Sequence, residues 1–205
     1  MNSLKNNITR EEIEQLPLEF FRGNIHLYDE NSTDFSALEK LNNSAVVGFD
    51  TETRPSFKKG MSNQNRVALI QMATETDAFI FRIHRSGIPE EVLQILASDK
   101  IKKIGVAVRD DVLALRKIAN FVPDGFIDLQ DYSASFLIES NGLRKLAAIV
   151  LGCRISKTQQ LSNWENECLT EAQMLYAATD AWACFMIYSR LQKIIISNAD
   201  DTAGN

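Results

Sequence analysis

The sequence predicts a single α/β domain in which a sheet is laid down first and helices pack onto it afterwards. Three observations carry this reading. Apolar runs of strand length occupy the first half of the chain, and "RVALIQMATETDAFIF" holds two of them, residues 67–73 and 78–81, around the polar turn 74–77. After a further apolar run that ends near residue 108, the pattern turns mostly helical. The 205 residues suffice for one sizeable core.

Taken in order, residues 1–20 read as an N-terminal arm whose amphipathic piece, "EEIEQLPLEFF", forms a short helix. "NIHLYD" alternates like a strand, and "DFSALEKLNN" is a helix with Asp34 as its cap. Residues 45–49 are continuously apolar, which suits a strand buried on both faces. The hairpin of 67–81 would add two antiparallel strands to it. "PEEVLQILAS" is helical with Pro89 near its start, "IKKIGVAV" is a strand and "DDVLALRKIA" a helix. "DLQDYSASFLIE" and "LRKLAAIVLG" follow as helices, the second closed by Gly152. A long last helix runs from Thr170 to about residue 195. Thr170 and Gln173 have the capping-box spacing, and Leu169 and Met174 occupy the flanking apolar positions. The domain proper therefore spans 21–195, with 196–205 as a flexible tail.

Composition narrows the function classes. The 45% hydrophobic and 24% charged residues are those of an ordinary globular domain. No segment approaches the roughly 20 apolar residues of a membrane helix. The start, "MNSLKNNITREEIEQ", has no apolar signal core, so a cytoplasmic domain without a membrane partner is expected. Cys153, Cys168 and Cys184 lack a CxxC spacing, and His26 and His84 stand alone in strand-like stretches, which argues against zinc sites, disulfides and histidine triads. The formal charge of -5 is weak evidence against nucleic acid, because two bound divalent cations would bring it close to neutrality.

Four acids look out of place. "VVGFDTE" ends an apolar run in Asp50 and Glu52, which project from one face of an extended strand about 7 Å apart. Two like charges so close cost stability unless a cation lies between them. In "YAATDAWACFMIY", Asp180 is the lone carboxylate of an apolar helical segment, and Tyr176 lies four residues earlier on the same face. In "GVAVRDDVLAL" a strand gives way to a helix, and either Asp110 or Asp111 could cap the helix while the other faces a site. With no His or Cys nearby, such an oxygen-only set suits Mg²⁺ or Mn²⁺.

The three stretches "VVGFDTE", "IGVAVRDDVLAL" and "LTEAQMLYAATDAWACFMIY" resemble, in order and spacing, the exonuclease motifs of the DEDD family of 3′–5′ exonucleases. The likeness is to the ribonuclease D and Werner-syndrome exonuclease branch in particular, helped by "RVALIQMAT" and "LSNW", and it spans residues 21–192. The resemblance implies a ribonuclease H-like fold with a mixed five-stranded sheet flanked by helices. It makes Asp50, Glu52, Asp111 and Asp180 the metal-binding acids, Asp111 being preferred because it stands six residues after Gly105. Tyr176 in place of a histidine implies the tyrosine subtype, DEDDy.

What the resemblance implies for mechanism is hydrolysis assisted by two divalent metal ions, Mg²⁺ or Mn²⁺. Asp50, Glu52 and Asp180 would hold the first ion, Asp50 and, through water, Asp111 the second, and Tyr176 would orient the attacking water. The acid at Glu52 would also touch the terminal 3′-OH. The expected substrate is single-stranded or recessed DNA, shortened from its 3′ end to nucleoside 5′-monophosphates; RNA ranks second, and a non-catalytic binding module third. Candidate substrate contacts are Thr51 and Leu113 beside the acids, Lys58, Lys59 and Arg66 in "RPSFKKGMSNQNR", and Arg154 and Lys157 before the last helix. Leu113 stands where some Werner-type relatives carry an aromatic.

Overall fold

The computed structural model describes residues 4–54, 67–140 and 142–203, with side chains described as far as residue 197. Among these, six strands form one sheet in the order β1-β4-β3-β2-β5-β6. They are β1 (Asn24–Tyr28), β2 (Val46–Thr53), β3 (Val67–Ala73), β4 (Asp77–Arg82), β5 (Lys102–Gly105) and β6 (Phe126–Asp128). The β2-β3-β4 meander is antiparallel, as the hairpin signal requires. The other three strands join in parallel, β1 to β4, β5 to β2 and β6 to β5.

The sheet has one strand more than the resemblance implies. The addition, β6, is three residues long and lies at the head of a stretch that reads as helical. So short a piece has no periodicity to detect, and only its pairing with β5 makes it a strand.

The helices are α1 (Arg10–Glu14), α2 (Glu39–Asn42), α3 (Ile83–Ser86), α4 (Glu90–Ala97), α5 (Val108–Leu115), α6 (Leu129–Ala134), α7 (Leu143–Leu146) and α8 (Glu171–Ala203). α7 continues into a π-helical turn, Ala147–Leu151, which Gly152 ends with a positive φ of 71°. α8 begins with the predicted box: the Gln173 N–H donates to Thr170 Oγ1 at 3.2 Å, and the Thr170 N–H to Gln173 Oε1 at 3.0 Å. It extends to Ala203, past the residue 195 at which the apolar periodicity fades, so helix occupies most of the segment expected as a flexible tail. No described helix is long and apolar enough to cross a membrane.

One face of the sheet carries Phe49, Ile70, Met72, Phe79 and Phe81 against Val92, Ile95 and Leu96 of α4 and Leu115 of α5. The other face lies under α8, whose Ala177, Ala178 and Ala181 are fully buried. These small residues let the helix come very close. A Cβ on Gly48 of β2 would stand 1.8 Å from the Ala181 carbonyl oxygen, so that contact admits only glycine. The N-terminal arm is fastened at Arg154, whose Nε donates to the Leu16 carbonyl at 3.0 Å while its backbone bridges Leu18.

Candidate active site

β2 outruns its neighbour. It pairs with β5 only from Val46 to Gly48, so residues 49–53 have β3 on one side and an open edge on the other. Asp50 and Glu52 occupy that overhang, on the face covered by α8. The close seat of α8 on Gly48 brings Asp180 down beside them. Carboxylate oxygens of Asp50, Glu52 and Asp180 all lie within 4.8 Å of one another.

The surroundings penalise charge. Desolvation, then Asp180, Glu52 and Asp111, push the Asp50 carboxyl well above the usual range. Desolvation followed by the Asp180 and Asp111 charges raises Glu52 to about 9. Asp180 is raised to about 7 by burial, against a hydrogen bond from the Tyr176 hydroxyl. Such a cluster stores repulsion that a cation would relieve, and its donors are all hard oxygens, so the residues present fit a divalent ion. The tyrosine is itself pushed up, by burial first and then by Asp180 and Glu52. It is therefore neutral and serves as a hydroxyl donor. Trp164 of the "LSNW" stretch, wholly buried, packs against it with ring centroids 5.9 Å apart.

Asp111 stands outside the triad of close oxygens and is reached from the opposite face of β2. Thr51 points away from Asp50 and Glu52, and its Oγ1 donates to Asp111 Oδ1 at 2.6 Å. Burial raises Asp111 to about 6, against that hydrogen bond. Neither Asp110 nor Asp111 caps α5, contrary to the sequence reading. The cap comes from Asp128 at the end of β6, which accepts the N–H groups of Ala107 at 3.2 Å and Val108 at 3.1 Å, and also that of Gln130 at the start of α6. Ala107 adopts a left-handed conformation, φ 57°, to turn the chain from β5 into α5. With the cap supplied from a neighbouring strand, Asp110 is exposed and Asp111 is free to face β2.

The remaining candidates fall apart in space. Leu113 is 50% exposed on α5. Lys157 is exposed, and Arg154 secures the N-terminal arm. Lys58, Lys59 and Arg66 lie outside the described residues. A cavity of about 220 Å³ opens beside Asp180, where Leu18 and Phe20 of the arm and Ser156 and Thr158 line it together with Tyr176. Sequence reasoning missed Asp128 and Gln71. The first carried only the signal of an acid at the start of a helical stretch; the second reads as one more residue of an apolar strand.

The profile of a family described as 3′–5′ exonuclease matches residues 26–196. The chain belongs to that family. This exonuclease domain is 35% identical over 201 residues to the mouse bifunctional 3′–5′ exonuclease/ATP-dependent helicase WRN, covering 93% of this chain and 14% of that protein. It is 34% identical over 164 residues to human exonuclease 3′–5′ domain-containing protein 2, covering 74% of this chain and 26% of that one. The chain thus spans only a small part of these relatives. In fold it is similar to the exonuclease domain of Aedes aegypti Nibbler, with a TM-score of 0.73, 24% identity and coverage of 85% and 91%. Escherichia coli RNase D gives a TM-score of 0.69 at 22% identity, covering 84% of this chain and 44% of that one. The ribonuclease H-like fold is common to these exonucleases, and divalent metals serve the family.

Proposed function

We propose that this domain removes nucleotides one at a time from the 3′ end of single-stranded or recessed DNA and releases nucleoside 5′-monophosphates. The observation that carries the reading is the convergence of Asp50, Glu52 and Asp180 oxygens within 4.8 Å, with Tyr176 one helical turn before Asp180 on α8. Asp50, Glu52 and Asp180 would hold one divalent cation, Mg²⁺ or Mn²⁺, and Asp50 with Asp111 a second. When bound, such cations neutralise the acids, lower the pKa of water and stabilise charge on the phosphoryl group.

The side chains have distinct tasks in this scheme. Glu52, at the free end of β2, contacts the terminal 3′-OH and so selects chain ends over internal bonds. Tyr176 is neutral and is braced by Trp164, so it orients the attacking water without removing its proton. Thr51 holds Asp111 at the far side of the strand. Leu113 and Lys157 are exposed and available to the substrate strand. DNA is favoured because a relative covering 93% of this chain is an exonuclease joined to a helicase. RNA is the second reading, since RNase D, alike in fold, is described as an exoribonuclease.

The test incubates the protein and Asp50→Ala with 5′-labelled single-stranded DNA and a matched RNA, in Mg²⁺, Mn²⁺ or EDTA. A metal-dependent ladder that shortens from the 3′ end, absent in the variant, is the expected result. Preference for the RNA strand would replace DNA as substrate, and no ladder on either would reject the catalytic reading.

A further inference from the structure

Gln71 lies in the middle of β3 and is fully buried, yet neither its Nε2 nor its Oε1 has a hydrogen-bond partner. Burying an amide unpaired costs free energy that a Met or Leu of similar volume would not, so a glutamine here calls for a reason. Its neighbours on the strand, Ile70 and Met72, are core residues of the opposite face.

The strand register supplies the reason. Gln71 is directly opposite Asp50 in the antiparallel β2-β3 pair. Cross-strand partners share a face of the sheet, with Cβ atoms about 5 Å apart. On that face the flanking β3 residues pack under α8: Leu69 clusters with Tyr176 and Ala177, and Ala73 with Ala178 and Ala181. The carboxamide therefore lies in a closed layer, with Asp50 beside it and the Tyr176–Asp180 turn of α8 above.

We propose that Gln71 is a positioning residue for Asp50: with a divalent cation at the site, its Nε2 would donate to one carboxylate oxygen while the other faces the ion. This rests on the reading of Asp50, Glu52 and Asp180 as a metal site. A donor from the opposite strand fixes the carboxylate about its own bond. Partners of this kind, standing behind a metal ligand, typically change metal affinity by 10- to 100-fold when removed.

The test is thermal unfolding of the whole chain, first in EDTA and then over a Mn²⁺ titration, for wild type, Gln71→Met and Gln71→Asn. Met keeps the volume and removes the amide; Asn keeps the amide and withdraws it from Asp50, and guards against a Met variant that does not fold. The expected result is a metal-free melting temperature for Gln71→Met at or above wild type, with the Mn²⁺ concentration for half-maximal stabilisation raised about tenfold in both variants. A merely structural glutamine would shift the metal-free melting temperature and leave the Mn²⁺ midpoint alone. An unchanged midpoint in the folded variants overturns the proposal. A wild type that Mn²⁺ does not stabilise overturns the metal-site reading beneath it, so the two failures are distinguishable.

Discussion

The Thr51 hydroxyl joins the Asp111 carboxylate at 2.6 Å, and this one bond couples the strand that carries two of the acids to the helix that carries another. Period-two alternation puts Asp50 and Glu52 on one side of β2 and Thr51 on the other, so a single tripeptide addresses the site from both sides. Thr51→Val keeps the shape and deletes the donor. Nuclease turnover should fall about tenfold, as when a partner behind a metal ligand is lost, and Thr51→Ser should restore most of it. Steady-state rates of the two variants at saturating metal check this.

Gly48 sets how near α8 comes to the sheet, and with it where Asp180 stands. Gly48→Ala would place a methyl group on the Ala181 carbonyl, so the helix must move outward. Overpacking of this kind costs about 1–3 kcal/mol. Activity should drop by more than the loss of folded protein accounts for, because the displaced helix takes Asp180 and Tyr176 away from Asp50. Calorimetry and single-turnover rates at a temperature where the variant is folded separate the two effects.

The acid cluster gives the metal-free protein an unusual pH dependence. Glu52 at about 9, Asp180 at about 7 and Asp111 at about 6 all sit above the values they have unfolded. Between about pH 4 and 9 the unfolded chain has released protons that the folded chain keeps, so stability falls as pH rises. In EDTA the melting temperature should decline from pH 5 to 9. Asp111→Asn should make that decline shallower and abolish nuclease activity while leaving the metal-free protein as stable or more so. Saturating Mn²⁺ should remove the decline. A differential scanning series over pH decides each point.

At the far end of the sheet the logic reverses. Asp77 is buried, and desolvation would raise its carboxyl, but bonds from His26, Lys40 and Thr76 outweigh burial and hold it well below the usual range. Stability from this network is present above the unfolded carboxylate range and is lost as pH falls through the folded value. Asp77→Asn should cost about 2 kcal/mol at pH 7 and leave nuclease activity unchanged. Urea unfolding at pH 7 and pH 3 measures the difference. The same network explains His26, which stacks on Phe79 at 4.8 Å as a structural residue.

Much of the fold was legible because it is written locally. The meander follows from two apolar runs and a four-residue polar turn, and the start of α8 from Thr170 and Gln173, whose bonds are closed within one turn. β6 was not legible, because three residues have no period, and neither was the reach of α8 past residue 195, where no breaker stops the helix. The open choice between Asp110 and Asp111 had the same origin. Its answer lies in Asp128, about twenty residues downstream and adjacent only after β6 has paired with β5.

By itself the sequence determined which residue types are available to the chemistry and on which face of its own strand or helix each must lie, since backbone periodicity is a local property. It therefore put Asp50 with Glu52, and Tyr176 with Asp180. Only the tertiary structure decided that Asp180 meets Asp50 and Glu52 within 4.8 Å, that Thr51 holds Asp111 from behind, and that Gln71 is buried opposite Asp50. Those relations depend on strand register and on how closely α8 rests on Gly48. Both are set by packing between segments far apart in the chain, which no local pattern records.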